Sequence, residues 1–253
     1  MQSTSSSFPL QDKVAVVTGA AGTMGRATVQ ALLDDGCRVA MIDRAEAPLR
    51  ELEAALGARA AGFVCDIADP AAVAAAHAAV RERLGEVDIL VNNAGVLTNQ
   101  KIEATAVEEW RQVLAVNLDG AFFWSQAVVP AMKARRWGRI VNTGSLAAKT
   151  GGLTAGTAYS VSKGAMGALT FSLARELAGH GVTCNAIAPA YVRTPMVTQQ
   201  LSAQQQAELL RQIPVGRWCE PEEFAHAVRF LASPLSGFIT GEILDMNGGL
   251  LMD

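Results

Sequence analysis

The sequence predicts an α/β protein built on a parallel β-sheet, and three observations carry that prediction. Short runs of consecutive apolar and β-branched residues recur along the chain, as in strands buried on both faces. These runs alternate with helical patterns, which implies parallel pairing through right-handed crossovers. The first run passes straight into a glycine-rich turn, and several later ones end in a polar residue.

Taken in order, residues 1–9 read as a serine-rich leader and 10–253 as a single domain. Lys13 to Thr18 is the first strand. The turn Gly19-Ala20-Ala21-Gly22-Thr23-Met24-Gly25 follows it, then a helical pattern from Ala27 to Leu33 that stops at Asp35-Gly36. Arg38 to Asp43 is a second strand, Ala47 to Leu56 a helix, and Ala60 to Cys65 a third strand ending at Asp66. Pro70, suited to the first helical position, opens an alanine-rich helix to Leu84. A fourth strand, Val87 to Val91, runs into Asn92-Asn93-Ala94-Gly95.

A polar loop leads to a long helical stretch from about Val107 to Arg135, with Trp110, Val113, Leu114, Leu118 and Phe122 as its apolar stripe. Asn117 interrupts that stripe. Lys133, Arg135, Arg136 and Arg139 read as a solvated helix end. The run Arg139-Ile140-Val141 predicts a strand ending at Asn142-Thr143-Gly144-Ser145, and the helix of Tyr159 continues through Leu177. Val182 to Ile187 is the next strand. Residues near 190–218 contain many glutamines and no clear strand, so they read as a flap; Pro221 to Leu231 is a helix and Thr240 to Met246 a last strand before Gly248-Gly249.

At 253 residues, half of them hydrophobic, the chain can bury a large core. A net charge of -3 and a pI near 5.7 provide no basic surface for nucleic acid. No apolar run is long enough for a membrane span and the start lacks a signal-peptide pattern, so a cytoplasmic protein is expected. Cys37, Cys65, Cys184 and Cys219 lie far apart without a C-x-x-C, which favours reduced thiols, and the three histidines form no ligand-like pair, so no metal is expected.

The glycine-rich turn suits a pyrophosphate: small residues let the backbone approach, and the helix start offers free N–H groups with positive dipole. Asp43 stands 18 residues after Gly25, near the spacing at which a carboxylate holds an adenosine ribose. That acid would repel a 2′-phosphate and so favours NAD over NADP, although Arg44 could tolerate the phosphate. The competing role for Asp43 is to cap the helix near Glu46. Gly19, Asp43, Asp66, Asn93 and Ser145 all fall at carboxyl ends of strands, where parallel sheets bind ligands.

Tyr159 and Lys163 are four residues apart, hence neighbours on one helix face about 6 Å apart along the axis. Ionising a tyrosine at pH 7 costs roughly 4 kcal/mol, and a cation about 4 Å away in a medium of dielectric near 20 supplies a similar amount. A surface pair is the ordinary alternative, but Ser145 upstream adds a hydroxyl donor. The three suit reversible oxidation of an alcohol to a carbonyl. With no histidine base nearby they suit acyl transfer poorly.

These residues together closely resemble the short-chain dehydrogenase/reductase family, in its branch of about this length, from Val16-Val17-Thr18-Gly19 to Gly248-Gly249. The resemblance implies a Rossmann-type doubly wound sheet of seven strands with helices on both faces, usually assembled as a homotetramer. It implies Asn117, Ser145, Tyr159 and Lys163 as the catalytic set. Gly19, Gly22, Thr23, Met24, Gly25, Asp43 and Arg44 would hold the cofactor's adenosine and phosphates, with Asp66 and Ile67 along the adenine. Asn93, Ala94 and Gly95, Tyr159 and Lys163, and Pro189, Val192 and Thr194 would contact the rest, the last three at the nicotinamide amide.

The family usually has glycine where this chain has Thr23 and, after Pro189, where it has Ala190. Leu97, Leu146, Leu153, Tyr191 and Met196 are expected to edge a substrate pocket. The implied activity is NAD-dependent interconversion of a secondary alcohol and a ketone. One alternative is an NADP-dependent 3-oxoacyl thioester reductase, with Arg135, Arg136 and Arg139 receiving an acyl carrier's acidic face. A non-catalytic dinucleotide-binding protein is the alternative of a different class.

Overall fold

In the computed structural model, which describes residues 9–194 and 202–252, the apolar runs become Val14–Thr18 (β1), Arg38–Asp43 (β2), Ala60–Val64 (β3), Ile89–Asn92 (β4), Gly138–Thr143 (β5), Val182–Pro189 (β6) and Ile243–Met246 (β7). All pair in parallel, in the order β3-β2-β1-β4-β5-β6-β7. The order reverses between β1 and β4. Such a reversal opens a crevice at the carboxyl edge, because the chain leaves the two strands toward opposite faces.

Alternation along the strands feeds two cores. Ala15, Val17, Val39 and Met41 point to one face, where they meet helices Thr23–Asp34 (α1), Glu46–Leu56 (α2) and Pro221–Ala232 (α9). Val14, Val16, Ala40 and Ile42 point to the other, against Pro70–Leu84 (α3), Gly120–Arg135 (α5) and Thr157–Leu177 (α7). Both faces of these strands are therefore dry, which explains the unbroken apolar runs. The remaining described helices are Val107–Leu114 (α4), Ala147–Thr150 (α6) and Ala203–Gln212 (α8).

Buried polar side chains stitch the sheet near its carboxyl edge. Asn92 donates to Asn142 Oδ1 at 2.8 Å, and Asn142 in turn donates to Thr170 Oγ1 at 2.9 Å. The amide nitrogens of both asparagines thus have partners, while Asn92 Oδ1 is left without one. The Thr18 hydroxyl accepts the N–H groups of Asn93 and Ala94, both at 3.0 Å, while Asn93 Nδ2 donates to Thr18 O at 2.9 Å. This fixes the loop after β4 to the end of β1.

Three expectations change. The stretch from Val107 to Arg135 is helical, but a wide π-type turn at Ala115–Asp119 separates α4 from α5. Within the expected flap lies a real helix, α8, started by a capping box between Ser202 and Gln205. Of the cluster expected to be a solvated helix end, Lys133, Arg135 and Arg136 do close α5 near the surface, but Arg139 does not. Arg139 is buried and its guanidinium donates to Gly138 O and Ser233 O; Arg135 donates to Val87 O at 2.6 Å and pairs with Asp88; Arg136 donates to Gly179 O. Flanking the start of β5, the cluster lies at the sheet's amino edge, opposite the crevice.

Residues 1–8 of the expected leader and Met196 lie outside the described residues. Among the described residues no helix is long and apolar enough to cross a membrane.

Phe224 on α9 is fully buried in the core shared with α1. Its replacement by alanine removes a large buried side chain and leaves a cavity, at a cost of about 3–5 kcal/mol. Thermal unfolding of Phe224→Ala should therefore come roughly 6–20 °C lower. A shift under about 2 °C would show that the two helices repack around the gap.

Candidate active site

The crevice is a cavity of about 990 Å³ that runs along the carboxyl edge from the ends of β2 and β3, past the glycine turn, to Ser145 and Tyr159 and on toward Tyr191. Every residue expected to bind the cofactor lines it: Gly19, Gly22, Thr23, Met24, Gly25, Asp43, Arg44, Asp66, Ile67, Asn93, Ala94, Gly95, Tyr159, Lys163, Pro189, Val192 and Thr194. Of the expected catalytic set, Asn117 alone does not.

The turn is shaped by close backbone approach. Gly19 has φ +65°, and a Cβ there would come within 2.8 Å of Ala94 Cα; a Cβ on Gly25 would collide with the Gly19 carbonyl. Gly22, the glycine displaced from the family's position, has ordinary φ -75° and is the N-cap of α1, so Thr23 simply becomes the first helical residue. Neither a capping side chain nor an acid occupies the first turn of α1. Its leading N–H groups and positive dipole therefore face the cavity, an anion site that fits a pyrophosphate.

Asp43 lines the cavity at the end of β2 and braces the turns beside it without capping α2. Its carboxylate accepts N–H bonds from Ala21 and Ala45, each at 3.0 Å, tying the glycine turn to the start of α2 while lining the cavity. The N-cap of α2 is Ala45 rather than Asp43. Asp66 accepts the Ala68 N–H at 3.0 Å in a similar turn.

At the chemical end, Ser145 follows β5 and is 8% exposed; its Oγ accepts the Ala147 N–H at 3.1 Å and hydrogen-bonds the Tyr159 phenol. Lys163 lies one turn further along α7, 4% exposed, and donates to Thr143 O at 2.7 Å. A Cβ on Gly95 would sit 3.6 Å from Lys163 Nζ, so the ammonium lies close beneath the loop after β4. Burial pushes the lysine pKa down to about 8. Burial also raises the tyrosine pKa, and the Ser145 hydrogen bond pulls it back.

That corrects the simple electrostatic expectation. Lys163 Nζ is 5.7 Å from the tyrosine ring centroid and is committed to a carbonyl, so in this structure desolvation outweighs the help the cation was expected to provide. Within this chain, Ser145 is the group that favours the phenolate.

Asn117 sits in the π-type turn and is fully buried. Its Oδ1 accepts the Val96 N–H at 2.8 Å, and its Nδ2 donates to Val96 O and to Ser162 Oγ, both at 3.0 Å. The side chain thus clamps the loop after β4 onto α7. Thr18, Asn142, Thr143 and Ser162 were not singled out in the sequence, where isolated hydroxyls and amides carry no spacing signal. Leu97, Leu146, Leu153 and Tyr191 line the cavity as expected.

With this geometry in hand, comparison with known proteins is informative. A family model described as enoyl-(acyl carrier protein) reductase matches residues 19–251. The 3-oxoacyl-(acyl-carrier-protein) reductase FabG of Escherichia coli (strain K12) is 39% identical over 243 residues, covering 96% of this chain and 98% of that one. The short-chain reductase protein NovJ of Streptomyces niveus is 42% identical over 248 residues, 94% of each. The crystal structure of gox2181 superposes with a TM-score of 0.92 at 33% identity, covering 96% of this chain and 97% of that one. The fold and crevice define a Rossmann-type oxidoreductase that works with a nicotinamide dinucleotide. This chain belongs to the short-chain dehydrogenase/reductase family.

The burial of Lys163 makes a test possible. Its folded pKa lies below the unfolded value of 10.5, so between about pH 8 and 10.5 the unfolded chain holds a proton that the folded one has released. Stability on this account rises with pH across that window, and below it the folded protein carries the full penalty, about 3 kcal/mol. Lys163→Met removes that penalty but also loses the Thr143 hydrogen bond, worth about 1.5–3 kcal/mol. At pH 7 its Tm should lie within about 4 °C of wild type while turnover falls by about 100-fold or more. A Tm lower by more than about 8 °C would make the buried cation a net structural asset.

Proposed function

We propose that the protein interconverts a secondary alcohol and a ketone with NAD as its preferred cofactor, and that Tyr159 is the acid/base. The observation that carries this reading is the convergence of Ser145, Tyr159 and Lys163 on one wall of the cavity whose other end is the glycine turn. When bound, the nicotinamide accepts or supplies the hydride.

Tyr159 takes the alcohol's hydroxyl proton as the carbinol carbon is oxidised, and returns it to the alkoxide oxygen in reduction. The Ser145 hydroxyl holds the substrate oxygen in hydrogen-bond reach of the phenol and stabilises the negative charge as it forms. Lys163, anchored on Thr143 O beneath the loop after β4, would hold the nicotinamide ribose and, as a cation next to Tyr159, would favour the phenolate as it forms. Asn117 acts through position: by clamping Val96 to Ser162 it sets the distance between the loop after β4 and α7. The same wide turn supports the proton path through Asn117 and water to solvent.

NAD is favoured because Asp43 would set a carboxylate against a 2′-phosphate, whereas it can accept bonds from a ribose hydroxyl. Arg44 lines the same stretch and is the group that would soften this preference. A homotetramer is part of the proposal, supported by Phe122, Val161 and Phe171, which α5 and α7 leave about half exposed.

The relatives' names favour a second reading, reduction of a 3-oxoacyl thioester on an acyl carrier protein. It uses the same proton and hydride chemistry. The arginine cluster considered as the carrier's dock flanks the start of β5, at the edge of the sheet opposite the cavity, which weighs against its serving this site.

Tyr159→Phe should lower kcat about 10²–10⁴-fold, the usual value of a positioned acid/base, while NADH binding stays within about threefold. Loss of less than tenfold would remove the tyrosine from its role. Initial rates at equal NADH and NADPH should favour NADH by about tenfold or more, and Asp43→Ser should narrow that ratio, because the charge facing a 2′-phosphate is gone. A wild-type preference for NADPH would overturn the cofactor assignment.

A further inference from the structure

We infer, resting on the reading just proposed, that the substrate is an uncharged carbonyl compound or alcohol, its other polar groups being neutral ones such as ester, amide or thioester, and that free carboxylates and phosphates are rejected. The charged residues that line the whole cavity are Asp43, Arg44, Asp66 and Lys163. The first three stand at the ends of β2 and β3, on the dinucleotide side. Beyond Ser145 and Tyr159 the wall holds Leu97, Leu153 and Tyr191 with the neutral polar Asn99, Gln112 and Thr154, and no described lining residue there is an acid, lysine, arginine or histidine.

Four cations near this half of the cavity are engaged, while Arg111, beside the lining Gln112 on α4, is exposed. Lys101 donates to Gly152 O at 2.8 Å and Ala155 O at 2.7 Å; Lys149 pairs with Asp245 at 2.6 Å; Arg193 pairs with Glu220 at 2.9 Å and Arg217 with Glu223 at 2.6 Å. Drawing any of them to a substrate anion would leave a carbonyl or carboxylate without its partner. The sequence from Pro195 to Leu201 contains no ionisable residue. Lys163 is held under the loop after β4 by Thr143 O, on the side of Gly95 and Asn117.

An anionic group carried into this half of the cavity would meet no charged lining residue among those described, and whatever water it gives up against the half-buried Leu97 and Tyr191 would go uncompensated, the arrangement by which a site disfavours a competitor. A neutral carbonyl instead finds amide donors at Asn99 and Gln112 and apolar wall around the rest.

The test uses the full-length protein with NADH, and separately with NADPH, on ethyl 3-oxohexanoate and its free acid, 3-oxohexanoate. The expected kcat/KM is at least tenfold higher for the ester; a smaller ratio overturns the inference. A second arm needs no turnover: calorimetric titration of the NADH-loaded protein with hexanamide and with hexanoate. Tenfold tighter binding of the amide supports the inference, whereas equal binding, tighter binding of the carboxylate, or no binding of the amide overturns it.

Amide-selective binding with neither oxo compound nor any other ketone turned over would sink the oxidoreductase reading and leave the charge selection standing. Leu153→Arg places a cation on the wall at a residue 62% exposed, where the fold tolerates it. Its ester-to-acid and amide-to-carboxylate ratios should each fall at least tenfold; unchanged ratios overturn the inference.

Discussion

A parallel sheet covered on both faces can place polar chemistry in few places. Along its strands each side chain enters one dry core or the other, and a charge there has no water and no partner. The strand ends are different, because the chain must leave the sheet and its peptide groups need new partners. At the switch between β1 and β4 the two exits part, and the crevice between them gathers the ends of the strands on both sides. The glycine turn and the Ser145, Tyr159 and Lys163 group are consequently neighbours by topology.

Precision at that edge comes from short buried hydrogen bonds rather than from charge. Thr18 fixes the loop after β4 to the end of β1, and Asn117 fixes the same loop to α7. The Asn92–Asn142–Thr170 chain joins β4, β5 and α7 below them. Each tether crosses between elements distant in sequence, so the glycine turn and the tyrosine helix are held in register by a common loop.

Burial governs the reactive groups as well. Desolvation lowers the lysine pKa to about 8 and raises that of the tyrosine, so near neutral pH the lysine stays an ammonium while the phenol keeps its proton, in place of the ion pair the residue spacing suggested. A neutral phenol beside a serine hydroxyl is well suited to give a proton to an alkoxide; taking one from an alcohol requires the ammonium to stabilise the phenolate. The protein thus holds its charge close to the reaction but tethered to a carbonyl, and the wall beyond carries none.

Much of this was legible along the chain. The strand Arg38–Asp43 and the helix Pro70–Leu84 were read to the residue, since each is bounded by an unmistakable signal: Gly36 before one, Asp69 and Pro70 opening the other. The residues lining the crevice were legible because the rule that ligands sit at carboxyl ends turns strand boundaries into positions. Helix α8 was not, because its glutamine-rich sequence has a single buried residue, Leu209, and no stripe to follow. Arg139 misled for a related reason: charge in a sequence suggests water, yet its side chain is buried against Ser233 O, 94 residues away.

By itself, then, the sequence determined all seven strands and most of the helices, that the strands are buried on both faces, that a glycine turn, an acid and a serine stand at their ends, and that a tyrosine and a lysine share one helix face. Those are local properties, encoded in periodicity and spacing. Tertiary structure alone decided where Lys163 directs its ammonium, that Asn117 is a clamp, which cations are already engaged and that one half of the cavity is uncharged. Each of these depends on desolvation and on partners brought together by folding, and neither quantity is written in any local stretch of chain.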